Sequence, residues 1–113
     1  INCSIRKYLL PSLYQEGLLC KNKQDVYKEL EKLLAAMWGE AEATKLVNGI
    51  YHLGNEVGND IICLHSRYDY HTPFIAFLSL KNHMLWEKQH VRYIFFMNMN
   101  AEVIKKWYII CII

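Results

Sequence analysis

Backbone punctuation is scarce in this chain, which has five glycines and two prolines in 113 residues. No repeat, low-complexity tract or interdomain linker interrupts it, so residues 1–113 read as a single domain. The four cysteines, Cys3, Cys20, Cys63 and Cys111, are far apart. They form no C-x-x-C pair or Cys/His cluster of the kind a structural zinc site needs. Cys63 and Cys111 lie in apolar runs, where a thiol acts as a small hydrophobe, and the setting they suggest is reducing and cytoplasmic. Blocks of positive charge are missing too: thirteen Lys and Arg are scattered among eleven acids, for a net charge of +2. That excludes a phosphate-backbone footprint, and nucleic acid is not an expected partner. The longest apolar run, WYIICII at 107–113, is far short of the roughly 20 residues that span a bilayer. With no signal peptide at the start, no membrane association is expected. GNEVGND at 54–60 lacks both the G-x-G-x-x-G spacing and the lysine of a P-loop, so no nucleotide cofactor, nor any other, is expected.

What is present is a hydrophobic fraction of 53% with 21% charged residues, enough for one buried core. The chain begins at Ile1 without a methionine and stops inside an apolar run, and it reads as a piece of a longer multidomain protein. Residues 1–21 hold two short apolar patches separated by Pro11 and Gly17, room for a strand or a lead-in segment. Asn22, followed three residues on by Asp25, has the form of an N-cap with a first-turn acid. Val26, Leu30, Leu33, Leu34 and Met37 then recur at helical spacing up to Gly39. A second helix is predicted from about Glu40 to Tyr51, with Ala43, Leu46, Val47 and Ile50 on one face and Gly49 disfavouring its last turn.

Beyond GNEVGND the period changes. Ile61–Leu64 is a continuous apolar run of the kind a doubly covered strand shows. Strands are predicted at 73–80 and 91–99, with KNH at 81–83 as a turn, and a last helix at 102–113. Helices followed by strands with continuous apolar runs predict an α/β domain, a mixed sheet sandwiched by helices. Trp38, Trp86, Trp107, Phe95 and Phe96 are assigned to the core or its margin.

Chemistry has to be sought among the histidines. His83 and His90 read as solvated residues, and His52 as a helix-end residue facing carbonyl groups. His65 differs because it closes a buried strand where the chain turns outward, the position at which open α/β sheets gather ligands. A metal site of His65, Asp69 and His71 matches no established spacing, and Ser66 lacks the G-x-S-x-G elbow of a serine nucleophile. Phosphoryl transfer fits better. A neutral imidazole can accept a phosphoryl group if its other nitrogen is held and the dianion is steadied by an arginine, hydroxyls or backbone N–H groups. Ser66, Arg67 and the loop amides after His65 are the candidates for that role.

The run GNDIICLHS (58–66), the strand FIAFLSL (74–80), the segment LKNHMLW (80–86) and the strand VRYIFFMNM (91–99) together resemble the fructose/mannitol-type enzyme IIA domain of the bacterial phosphotransferase system. The resemblance extends from about Tyr14 to the end of the chain. It implies a phosphohistidine phosphotransferase domain, with His65 as the phosphorylated residue and Trp86 as the family's tryptophan. The chain departs from the pattern in several places. Leu64 replaces a proline and Asp60 a glycine; the Arg-Glu pair has no match in NGIYHLG (48–54), and a second histidine is missing from AEVIKKW (101–107). His71 is the nearest stand-in for that auxiliary histidine. The family's carboxyl-terminal strand and helices are absent as well.

Such degenerate modules resemble those at the end of BglG-, MtlR- or LicR-type transcriptional antiterminators and activators, where the histidine is a sugar-sensing input. The partners implied are the phosphocarrier HPr and an enzyme IIB domain or other domains of the same regulator, and a homodimer is compatible with the sequence. The competing expectation is an enzyme IIA-like module that kept the fold and lost the chemistry, serving interaction or dimerisation. Tyr68 and Tyr70 would suit such a surface.

Overall fold

A computed structural model of the chain describes residues 9–52, 60–68 and 74–98. The strand β1 (Leu9–Leu18) is followed by two helices, α1 (Lys23–Trp38) and α2 (Glu40–Asn48). Four strands come next: β2 (Ile50–His52), β3 (Ile61–Ser66), β4 (Phe74–Trp86) and β5 (Gln89–Asn98). The five strands form one sheet in the order β1-β4-β5-β3-β2. β1 runs parallel to β4 and β3 parallel to β5, while β4–β5 and β2–β3 are antiparallel. The expected mixed α/β architecture is therefore present.

Local chemistry explains the helices. The Asn22 side chain accepts the Asp25 N–H at 3.0 Å, and the Asp25 carboxylate in turn accepts the Lys21 N–H at 2.9 Å. Two donors at the start of α1 are thus satisfied reciprocally. Val26, Leu30 and Leu34 form its wholly buried stripe, and Gly39, at φ +92°, ends the helix by donating its N–H to the Ala35 carbonyl. α2 then buries Ala43, Leu46 and Val47. One apolar cluster joins these stripes to Leu13, Ile62, Leu64, Ala76, Leu78 and Phe96, so both helices lie on the same face of the sheet. Trp86 also belongs to this cluster, with the Tyr27 ring edge-on at 5.9 Å.

Strand alternation sends Cys63, His65, Phe77, Phe95 and Met97 to the opposite face. Aromatic rings line that face: Phe77 stacks on Tyr93, tilts against Phe95 and meets the edge of Tyr14.

The element boundaries differ from the expectation in three places. α2 stops at Asn48, and Ile50–His52 is an edge strand instead of its last turn. The sequence KNH is not a turn, because β4 continues through it to Trp86 across a register irregularity between Ser79 and Met84. The hairpin instead reverses at Glu87 and Lys88, with Glu87 at φ +59°. The uncertain amino-terminal segment does contain a strand, β1. The helix expected at 102–113 lies outside the described residues, as do most of GNEVGND and the segment with Asp69, Tyr70 and His71. No helix among the described residues is long and apolar enough to cross a membrane.

Candidate functional site

His65 is the fifth residue of β3, near its carboxyl end. Pairing across the sheet sets it between Tyr51 of β2 and Met97 of β5, and Met97 in turn opposes Ile75 of β4. His65 is 3% exposed, and its Nδ1 has no hydrogen-bond partner among the described residues. Burial lowers its pKa below the ordinary histidine value, so the ring is neutral at pH 7. The Tyr51 ring lies 6.0 Å from it, centroid to centroid, at an angle of 36°. The Arg67 guanidinium carbon sits 5.1 Å from the centroid of that same tyrosine ring. The Tyr51 ring thus neighbours both the His65 ring and the Arg67 guanidinium.

The turn after His65 is fastened to its surroundings. Ser66 Oγ donates to the Leu46 carbonyl of α2 at 2.7 Å and accepts the Tyr68 N–H at 3.2 Å. The Arg67 N–H donates to the Gly49 carbonyl at 2.8 Å. Asn98, at the end of β5, donates its side-chain amide to the Tyr68 carbonyl, and the Tyr68 hydroxyl donates to Glu42. The donors expected to meet a phosphate are therefore mostly engaged: the Ser66 hydroxyl and the Arg67 and Tyr68 amides all bond within the fold. The Arg67 side chain, exposed and stacked on Tyr51, is the group left facing outward.

Gly49 makes this arrangement possible. A Cβ there would lie 2.8 Å from Ser66 Oγ, 3.1 Å from the Tyr68 nitrogen and 3.2 Å from the Arg67 nitrogen. The glycine is required by space and not by conformation, since its φ is −88°. At the other end of β3, Asp60 adopts φ +66°, a conformation that glycine enters freely and a side chain enters at a cost. This accounts physically for a glycine at the matching position of the resembled family. Here the Asp60 carboxylate is matched instead with His83 Nε2, 2.8 Å away. His83 is exposed, as expected, and has this partner. His71, the auxiliary candidate, and Asp69 lie outside the described residues.

Sequence reasoning named His65, Ser66 and Arg67 as candidates and did not name Tyr51, Gly49, Glu42 or Asn98, which the fold places around them. Gly49 carried a readable signal, a glycine at a helix end. Tyr51 carried none, because its position beside His65 depends on cross-strand pairing.

The fold is similar to that in the crystal structure of the nitrogen regulatory protein IIA-Ntr from Neisseria meningitidis. The TM-score is 0.65 at 16% sequence identity, over 93% of this chain and 78% of that one. No family model and no curated protein matches the chain. The likeness shows that the chain has a IIA-like fold.

Proposed function

We propose that the chain is a phosphotransferase-system enzyme IIA-like domain in which His65 receives a phosphoryl group from phospho-HPr. The observation that carries this reading is the placement of His65 at the carboxyl end of β3, with an Nδ1 that has no hydrogen-bond partner among the described residues; burial, which lowers the pKa of the ring, favours the neutral form that a phosphoryl acceptor needs. In the transfer, a ring nitrogen of His65 forms a bond to phosphorus as the bond from phosphorus to the donor's histidine breaks. The donor imidazole leaves with that electron pair. Arg67 is the phosphate contact in this scheme, and Ser66 shapes the turn that presents it. His71 keeps the auxiliary role. The fructose/mannitol type of the module, and its place within an antiterminator or activator that senses a sugar, belong to the same proposal. There the added charge of about −2 would reorganise contacts with neighbouring domains. A cytoplasmic setting goes with it, as do an enzyme IIB domain and a second copy of the chain as further partners.

A second reading has its own support: an interaction module without transfer chemistry. A histidine that is 3% exposed has to be uncovered before any donor reaches it, and the neighbouring hydroxyl and amides are already bonded. Incubation with phosphoenolpyruvate, enzyme I and HPr, followed by intact mass measurement under alkaline conditions, separates the two. A gain of one phosphate that disappears in His65→Ala is the expected result. No gain in a folded sample refutes transfer and leaves the interaction module.

A further inference from the structure

The covering of His65 has a visible local component. Tyr51 is its direct cross-strand partner in an antiparallel pair, on the same face of the sheet. Their rings are 6.0 Å apart, and the same tyrosine ring carries the Arg67 guanidinium at 5.1 Å. β2, which carries Tyr51, is a three-residue strand at the edge of the sheet that, among the described residues, pairs only with β3. An edge this short opens at low cost, because few backbone bonds and little buried surface hold it.

We infer that Tyr51 is a shield over His65, latched by Arg67, and that displacement of this pair from the imidazole controls access to it. This rests on the reading of His65 as a phosphoryl acceptor, although the shield itself is testable without any phosphoryl donor. Tyr51 is a positioning residue here, acting on what can approach His65. Arg67 has two partners in sequence. In the resting state it stacks on the tyrosine, and when an anion arrives beside His65 it turns to the stronger charge-assisted contact. That exchange releases the tyrosine, so the incoming phosphoryl group opens its own path.

Acylation of individual histidines by diethyl pyrocarbonate, mapped by peptide mass, reads the shield directly in the full chain. Arg67→Ala removes only an exposed side chain and is expected to speed modification of His65 about fivefold, as loss of a cation–π contact implies. Tyr51→Ala is expected to speed it by about tenfold or more, since it removes the whole ring contact. Tyr51→Phe keeps the ring and leaves the rate unchanged. His83 and His90 are internal controls whose rates stay constant. If His65 reacts at the wild-type rate in both Arg67→Ala and Tyr51→Ala, the shield is refuted. If Tyr51→Ala accelerates every histidine together, the variant has lost its fold and Arg67→Ala alone decides. Acceleration at His65 without phosphate uptake in any variant would uphold the shield and refute transfer, so the two ideas fail separately.

Discussion

Replacing Gly49 by alanine tests how the turn after His65 is built. The added methyl group would meet Ser66 Oγ at 2.8 Å and two backbone nitrogens at 3.1 and 3.2 Å. The hydroxyl is fixed by two hydrogen bonds, and backbone nitrogens do not swing away as a flexible side chain would. Overpacking of this kind costs about 1–3 kcal/mol, and losing the Arg67–Gly49 or Ser66–Leu46 hydrogen bond adds about 1 kcal/mol. Restricting the unfolded chain returns roughly 0.4–1 kcal/mol, for a net destabilisation of about 2 kcal/mol. With an unfolding entropy of about 0.24 kcal/mol/K for 113 residues, that lowers Tm by about 8 °C. Calorimetry or a denaturant titration reads the change. A double-mutant cycle with Ser66→Ala locates it, because removing the hydroxyl also removes the closest contact. The double variant should be more stable than the sum of the single effects by about 1 kcal/mol. An unchanged Tm in Gly49→Ala, or strict additivity, would refute the claim that space at this position holds the turn in place.

Two further predictions concern titration and backbone strain. Because burial lowers the pKa of His65 in the folded state below its ordinary value of 6.5, the unfolded chain binds more protons between those two values. Stability should then fall as the pH drops below about 6.5, by no more than about 1.4 kcal/mol per pH unit, and level off below the folded-state pKa. Denaturant titrations across this range should show a flatter dependence in His65→Gln, and an identical dependence would count against a buried neutral imidazole. At Asp60, both Asp60→Gly and Asp60→Ala lose the contact to His83, but only alanine must hold φ +66°. The alanine variant should be less stable than the glycine variant by about 1–2 kcal/mol, and equal stabilities would show that the conformation carries no strain.

The parts of the fold that were legible in sequence are those written in local periodicity. The Val26, Leu30, Leu34 stripe and the Asn22 cap appear in the structure as the spacing predicts. The apolar run that ends at His65 is β3, buried on both sides of the sheet. Ile50 and Tyr51 read as the end of the second helix because only Gly49 separates them from α2, and the three residues of β2 are too few to show a period of two. KNH misled for the opposite reason. Three polar residues in a row look like a turn, yet here they lie exposed within a long strand at its register irregularity. The site was half legible. His65 and Arg67 are adjacent to a recognisable strand end, whereas Tyr51 and Asn98 reach it only through pairings between distant segments.

The parallel pairing of β1 with β4 has a consequence for how the chain acquires this shape. Leu9 is in register with Ile75, more than half the sequence away. During synthesis β1, α1 and α2 leave the ribosome long before the strand that completes their layer exists. The apolar residues of α1 and α2 can cluster early through local contacts, but Leu13 gains its sheet neighbours only after β4 has emerged. Closing so long a loop before any reward is collected slows the search. The amino-terminal third would spend that interval with unpaired strand edges, open to unintended partners.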